Sequence, residues 1–233
     1  MANYVLLLAG GVGTRMGAEV PKQFLCVDEK PIIVYSIENF QKSKKIDGIV
    51  VVCIKEWIPH LEELIRVYNL DKVKWIVEGG SCGHYSIQNG VFFLEDKINK
   101  NDIVIISDAV RPVVANNLID DVITTANKNG NACSSIVCHS PLVLTDDYMS
   151  SIVDIAREKV MLTQAPQAFK YHLLLKYYRL AQAEKKKDFT YTSSLFIHYG
   201  ERIFFSLGSS LNIKITKKED LNLFKALLEV VGE

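Results

Sequence analysis

An α/β fold, a mostly parallel sheet covered by helices on both faces, is predicted by three observations. Short apolar runs alternate with helical patterns along the 233 residues, as parallel strands joined by helical crossovers require. Hydrophobic residues make up 48% of the chain, enough for a substantial core. No internal repeat or low-complexity linker interrupts the alternation, so one domain over residues 1–233 is expected.

The elements follow in order. The run Tyr4-Val5-Leu6-Leu7-Leu8 predicts a buried strand that ends at a glycine loop. Further strands are expected over residues 49–53, 74–77, 103–107, 132–137 and 203–207, and around 213–215. Helices are expected over 32–41, 58–68, 86–94, 118–129, 172–183 and 219–231. In the last of them Leu221, Phe224, Leu227 and Leu228 fall on one face. Residues 138–159 break the alternation. There, Leu142-Val143-Leu144 and Ile152-Val153-Asp154-Ile155 flank the polar turn Thr145-Asp146-Asp147-Tyr148, which reads as a hairpin. Lying outside the βα pattern, it is expected to project as an arm. An isolated hairpin is marginally stable, so a second subunit is its natural support, giving a two-fold dimer.

Composition excludes several classes. Lys and Arg total 27, as do Asp and Glu, so no global field recruits nucleic acid or an anionic membrane. No apolar run approaches the roughly 20 residues that span a bilayer. Met1-Ala2-Asn3 lacks the basic flank of a signal peptide. The five cysteines are odd in number and form no C-x-x-C pair, and the five histidines show no metal-ligand spacing. A reduced, cytoplasmic, zinc-free protein is expected, with Cys53 and Cys133 acting as small hydrophobes.

Chemistry concentrates at the first loop, Ala9-Gly10-Gly11-Val12-Gly13-Thr14-Arg15-Met16-Gly17, followed by Pro21-Lys22-Gln23-Phe24. Glycine backbone can wrap phosphate oxygens closely. Arg15 adds a planar fork and Lys22 a point charge, which suits a nucleoside triphosphate about to be cut. The dinucleotide fingerprint fails because its third glycine position is Met16, and the P-loop fails because no lysine follows Gly17. The plain alternative is a glycine-rich turn with surface cations; the complete string is more specific than its glycines.

Ligands of open α/β sheets bind beyond the carboxyl ends of strands, so the residues there are weighed next. Asp108-Ala109-Val110-Arg111-Pro112 follows one strand; its carboxylate suits Mg²⁺, though an Asp–Arg pair can also simply close a turn. Glu78-Gly79-Gly80-Ser81-Cys82-Gly83, leading to a helix near Ser86, fits a base or ribose, or a plain helix start. Thr190-Tyr191-Thr192-Ser193-Ser194 precedes a helix and can cap it. Asn212-Ile213-Lys214-Ile215-Thr216 sets a lysine inside an apolar strand, costly unless it meets an anion. Thr216 with Glu219 then offers a capping box.

In this order, A-G-G-x-G-x-R-M-G, P-K-Q-F, G-G then Ser86, D-A-x-R-P, Arg157, P-Q-x-F and N-I-K-I-T, the chain resembles the cytidylyltransferases that make CDP-2-C-methylerythritol or CDP-ribitol. The likeness runs from about residue 4 to residue 228. It implies a Rossmann-like three-layer fold with a dimerising β-arm, CTP and Mg²⁺, and transfer onto a polyol phosphate. By that likeness Arg15, Lys22 and Lys214 are catalytic, Lys214 meeting charge at the α-phosphorus. The backbone of residues 9–11 (Ala9, Gly10, Gly11), Gly13, Thr14, Gly80, Ser81 and Ser86 would surround the nucleotide. Asp108 would bind metal, and Arg111, Ser140 and Thr190 the acceptor, with Arg157 reaching into a partner's acceptor site. The chain departs from the pattern at Gly83, Ser107, His139-Ser140, Ala165, Tyr191 and Leu211, the last standing where a second metal carboxylate is expected. The P-K-Q-F, Met161 and 165–169 context leans toward ribitol phosphate. Methylerythritol phosphate as acceptor, or a weakly catalytic nucleotide-binding paralogue, is the alternative.

Overall fold

The computed structural model describes residues 1–11, 20–186 and 189–231. In chain order the elements are β1 (Asn3–Ala9), β2 (Cys26–Val27), β3 (Lys30–Pro31), α1 (Ile32–Lys42), β4 (Gly48–Cys53), α2 (Ile58–Val67), β5 (Val73–Glu78) and α3 (Gly83–Phe93). There follow β6 (Ile103–Asp108), α4 (Asn116–Asn129), β7 (Asn131–Val137), β8 (Leu142–Leu144), β9 (Val153–Ile155), β10 (Met161–Lys170), α5 (Tyr171–Ala183), α6 (Thr192–His198), β11 (Phe205–Leu207) and α7 (Lys218–Val231). Short 3₁₀ turns lie at Lys22–Phe24, Lys55–Trp57 and Arg157–Lys159.

The main sheet runs β11-β7-β10-β6-β1-β4-β5. All its pairings are parallel except those of β10, which lies antiparallel between β6 and β7. Alternation along each buried strand divides the core. Val5, Leu7, Ile49, Val51, Ile103 and Ile105 face α1, α2 and α4. Leu6, Val50, Val52, Val104 and Ile106 face α3, α5 and α6. The result is a sheet between two helical layers, as strand–helix alternation requires.

Three expectations are corrected. β10 was not foreseen, because Pro166 inside an apolar run argues against a central strand. The proline is tolerated where the register with β7 shifts between Thr163 and Gln167, so no ladder donor is lost. No strand forms over 213–215: that segment crosses the carboxyl edge of the sheet, and Ile215 N donates to Val110 O at 2.9 Å. The capping partner is Asp220, not Glu219. Its Oδ2 accepts from Thr216 N, Thr216 Oγ1 and Lys217 N at 2.7–2.8 Å.

The hairpin forms as expected, with β8 antiparallel to β9. It makes its own sheet, separate from the main one. Tyr148, Met149 and Ile152 at its tip are almost fully exposed.

Candidate active site

A cleft of about 390 Å³ opens beyond the carboxyl ends of β1 and β6, where open α/β sheets bind ligands. Its wall includes Gly10 and Gly11 after β1, Lys22 and Gln23, residues 80–83 after β5, Asp108 and Arg111 after β6, and Lys214. Among the described residues of this wall, three side chains are cations and one, Asp108, is a carboxylate. The excess of positive charge favours a polyanion.

The charged floor is cross-linked. Lys214 Nζ donates to Asp108 Oδ1 at 3.0 Å, and Arg111 Nε donates to Oδ2 at 3.0 Å. Arg111 Nη1 donates to Asn212 O at 2.8 Å, while Asn212 Nδ2 donates to Ala165 O at 2.6 Å. Lys22 Nζ donates to Ile215 O at 3.1 Å. The beginning and the far end of the chain thus meet at one place. Burial pushes the Asp108 carboxyl up, but the nearby Lys214 and Arg111 charges and hydrogen bonds outweigh it and hold it below the ordinary value. It is a fixed anion across neutral pH.

Lys214 reaches the cleft without the strand predicted around it. Its neighbours Ile213 and Ile215 pack into a small apolar cluster with Val110 and Phe224, and the lysine turns the opposite way. Its alternation is real although no ladder is present.

The opposite wall is close-packed backbone. Gly80 N donates to Ser86 Oγ at 3.0 Å. A Cβ on Gly80 would stand 2.4 Å from Tyr85 Cβ, and one on Gly10 would stand 3.0 Å from Ser86 Oγ. Gly80 requires glycine because the first turn of α3 folds back against it, whereas a side chain at Gly10 would push on the Ser86 hydroxyl. Gly83, where the resemblance expects arginine, has nothing within 4 Å of such a Cβ.

The third wall comes from the irregular part of β10. Gln164 Nε2 donates to Ser209 O at 2.9 Å, and Ser209 N donates back to Gln164 Oε1 at 3.1 Å. Gln167 Oε1 accepts from Ser193 N at 3.3 Å. Thr163, Ala165, Thr190, Tyr191 and Thr192 complete this side.

Of the residues singled out from sequence, Gly10, Gly11, Lys22, Gly80, Ser81, Ser86, Asp108, Arg111, Thr190 and Lys214 line the cleft. Gly13, Thr14 and Arg15 lie outside the described residues. Ala9 ends β1 with its carbonyl taken by Gln23 Nε2 at 2.7 Å and does not line the wall. Ser140 and Arg157 lie at the base of the arm, away from this chain's own cleft; Arg157 Nη1 donates to His139 O at 3.0 Å. Gln23, Gln164, Gln167 and Asn212 were missed as site residues. Two amides flanking a proline in an apolar run were the available signal for the middle pair.

Asp108 fits a magnesium ion in a limited sense. Each carboxylate oxygen keeps a lone pair beyond its bond to Lys214 or Arg111, and magnesium is commonly held by one or two carboxylates together with substrate phosphates. Leu211 is 44% exposed and contributes no oxygen. No cluster of three or more metal-binding side chains occurs among the described residues.

Cationic clefts at the mouth of a parallel sheet serve nucleotide-using transferases, and relatives narrow that class. The chain belongs to the 2-C-methyl-D-erythritol 4-phosphate cytidylyltransferase family, whose profile matches residues 3–230; it is a nucleotidyltransferase. It is 40% identical over 225 residues to the ribitol-5-phosphate cytidylyltransferase of Lacticaseibacillus paracasei, covering 96% of each chain. It is 35% identical to the 2-C-methyl-D-erythritol 4-phosphate cytidylyltransferase of Clostridium novyi, covering 97% of this chain and 96% of the other. Its fold is similar to 4-diphosphocytidyl-2C-methyl-D-erythritol synthase from Anaerococcus prevotii, with a TM-score of 0.81 and 23% identity over 98% of each chain. Among the described residues no helix is long and apolar enough to cross a membrane.

Proposed function

We propose that the chain transfers a cytidylyl group from CTP to a phosphorylated polyol of the ribitol 5-phosphate type. An acceptor phosphate oxygen attacks the α-phosphorus of CTP, a new P–O bond forms, and the bond to the β-phosphate oxygen breaks. Pyrophosphate leaves with that electron pair and the CDP-polyol remains. The observation that carries the reading is the convergence of Lys22 with the Arg111–Asp108–Lys214 cluster in one strand-end cleft.

Positioning and charge neutralisation do most of the work in such transfers. Lys22, from the same motif as Arg15, neutralises the triphosphate. Lys214 leaves Asp108 for the charge growing at the α-phosphorus. Arg111 keeps its Nη2 donors for the acceptor's phosphate, since its bonds to Asp108 and Asn212 use Nε and Nη1. Gly80, Ser81 and Ser86 bound the base and ribose. When bound by Asp108 and phosphate oxygens, Mg²⁺ supplies further neutralisation. The ribitol acceptor rests on the similarity to the Lacticaseibacillus enzyme.

The active unit in this reading is a homodimer in the cytoplasm. The exposed apolar residues of the arm support it, and Arg157 and Ser140 of one arm would serve the partner's acceptor site.

The test is pyrophosphate release from CTP and Mg²⁺, with ribitol 5-phosphate compared with 2-C-methyl-D-erythritol 4-phosphate. Faster release with ribitol 5-phosphate is expected. Preference for the branched acceptor overturns the assignment of acceptor, and CTP binding without turnover on either overturns the transferase reading.

A further inference from the structure

Apart from the two cores that flank the sheet there is a third, smaller one. Its buried members are Val27, Ile32, Val110, Ile215 and Phe224, with Leu25, Tyr35, Val113, Ile213, Leu221 and Leu228 packed against them. The chain positions of these residues are informative. Leu25 and Val27 directly follow the 3₁₀ turn that carries Lys22. Val110 stands between Asp108 and Arg111, and Ile213 and Ile215 flank Lys214. Each of the three segments that bring a cation to the cleft therefore sends an apolar side chain into the same cluster.

What joins them is α7. Phe224 is fully buried at 0% exposure and meets Tyr35 edge-on, with ring centroids 5.1 Å apart. Asp220 fastens the start of the helix to Thr216 and Lys217, two and three residues beyond Lys214. Lys225 pairs with Asp28 Oδ1 at 3.0 Å in the turn after Val27. Yet no described residue of α7 lines the cleft. An element that touches all three cation-bearing segments and none of the cleft is placed to set their spacing.

We propose that α7 is a clasp and that Phe224 is a positioning residue for the reaction, fixing the distances among Lys22, Arg111 and Lys214. A buried phenyl ring fills its site at native density, and the segments around it can relax only by shifting. Long lysine side chains absorb a small shift when they bind ground-state triphosphate. In-line attack does not, and a misplacement of about 1 Å can cost on the order of 10² in rate.

The activity arm of the test rests on the cytidylyl-transfer reading; a second arm does not. Phe224→Ala is compared with Phe40→Ala, whose ring is equally buried but in the first core, at temperatures where both are folded. Expected are a kcat lower by about tenfold or more in Phe224→Ala, a smaller change in KM for CTP, and substantial recovery in Phe224→Leu. Equal kcat in the two alanine variants, or an unrecovered Phe224→Leu, overturns the proposal. The second arm is hydrogen exchange at the Ile215 amide, which bonds Val110 O. It should speed more in Phe224→Ala, or in Phe224→Leu if the alanine variant does not fold, than in Phe40→Ala. An unchanged rate overturns the clasp whatever the substrate proves to be, whereas wild-type enzyme silent on CTP and both acceptors reports on the transfer reading alone.

Discussion

The floor of the cleft and the arm are held by opposite means. On the floor, bonds join residues far apart in sequence: Lys22 reaches Ile215, and Asp108 meets Lys214. In the arm the side-chain bonds are local, with Asp147 Oδ1 accepting from Met149 N and Ser150 N, and Thr145 Oγ1 donating to Ser150 O. The described bonds of the floor are therefore all made within one chain. Among the described residues the arm's strands pair only with each other, and the apolar side chains at its tip stand in solvent: Tyr148 is 95% and Met149 90% exposed. A region finished by its own chain carries chemistry that single substitutions should abolish. A region left apolar and unsupported should answer to substitutions that change assembly.

The largest effect is expected on the floor. Lys22→Ala and Lys214→Ala should each lower kcat for pyrophosphate release by about 10²–10³, the usual cost of removing one preorganised charge donor. Circular dichroism should show both variants folded. Near-normal turnover in either would remove that lysine from the reaction and break the contrast at its stronger end.

The arm comes next. Wild type should sediment as the proposed dimer, and Ile152→Asp and Met149→Asp should sediment as monomers while leaving the melting of the folded chain intact. An exposed apolar patch is explained by a partner surface, and a charge there opposes its burial. If Arg157 acts across the dimer, these variants should also lose turnover with CTP binding kept. Sedimentation as an unchanged dimer would place the interface elsewhere.

Most of this layout was legible in the sequence, for physical reasons. Strands buried on both faces read as near-continuous apolar runs, so β1, β4 and β6 were readable to within a residue or two. The cleft residues nearest strand ends, Asp108 and Gly80 among them, follow from where open sheets bind ligands. β10 was hidden because the proline that marks its bulge is also the residue that forbids an ordinary central strand. Gln164 and Gln167 were missed with it, since an amide acquires a role only once the bulge aims it. Lys214 was found for a partly wrong reason. Its apolar neighbours do alternate, but into the third cluster rather than across a strand. Asp220 displaced Glu219 as the capping group because the helix begins one residue later than the Thr216 box assumes.

The smallest effect concerns that cap, and it sharpens the comparison because the arm holds a counterpart. Asp220 accepts from backbone N–H groups at the start of α7, and Asp147 does the same at the arm's tip. Burial pushes the Asp220 carboxyl up, but the bonds from Lys217, Thr216 and the Thr216 hydroxyl prevail and hold it below its ordinary value of 3.8. A depressed folded value means the stabilisation is full above the unfolded value and is lost as pH falls through the folded one. Asp220→Ala should cost about 1 kcal/mol at neutral pH, as loss of a helix-capping group does. In urea titrations the gap to wild type should stay constant from about pH 8 to pH 5 and close below about pH 4. A gap that widens on acidification would contradict the charged cap. The Asp147 carboxyl is also held low, by the N–H groups of Met149 and Ser150 first, but it is fully exposed. Asp147→Ala should leave the unfolding midpoint of the arm variants unchanged at every pH, because the turn it braces stands exposed at the tip of a sheet separate from the main one.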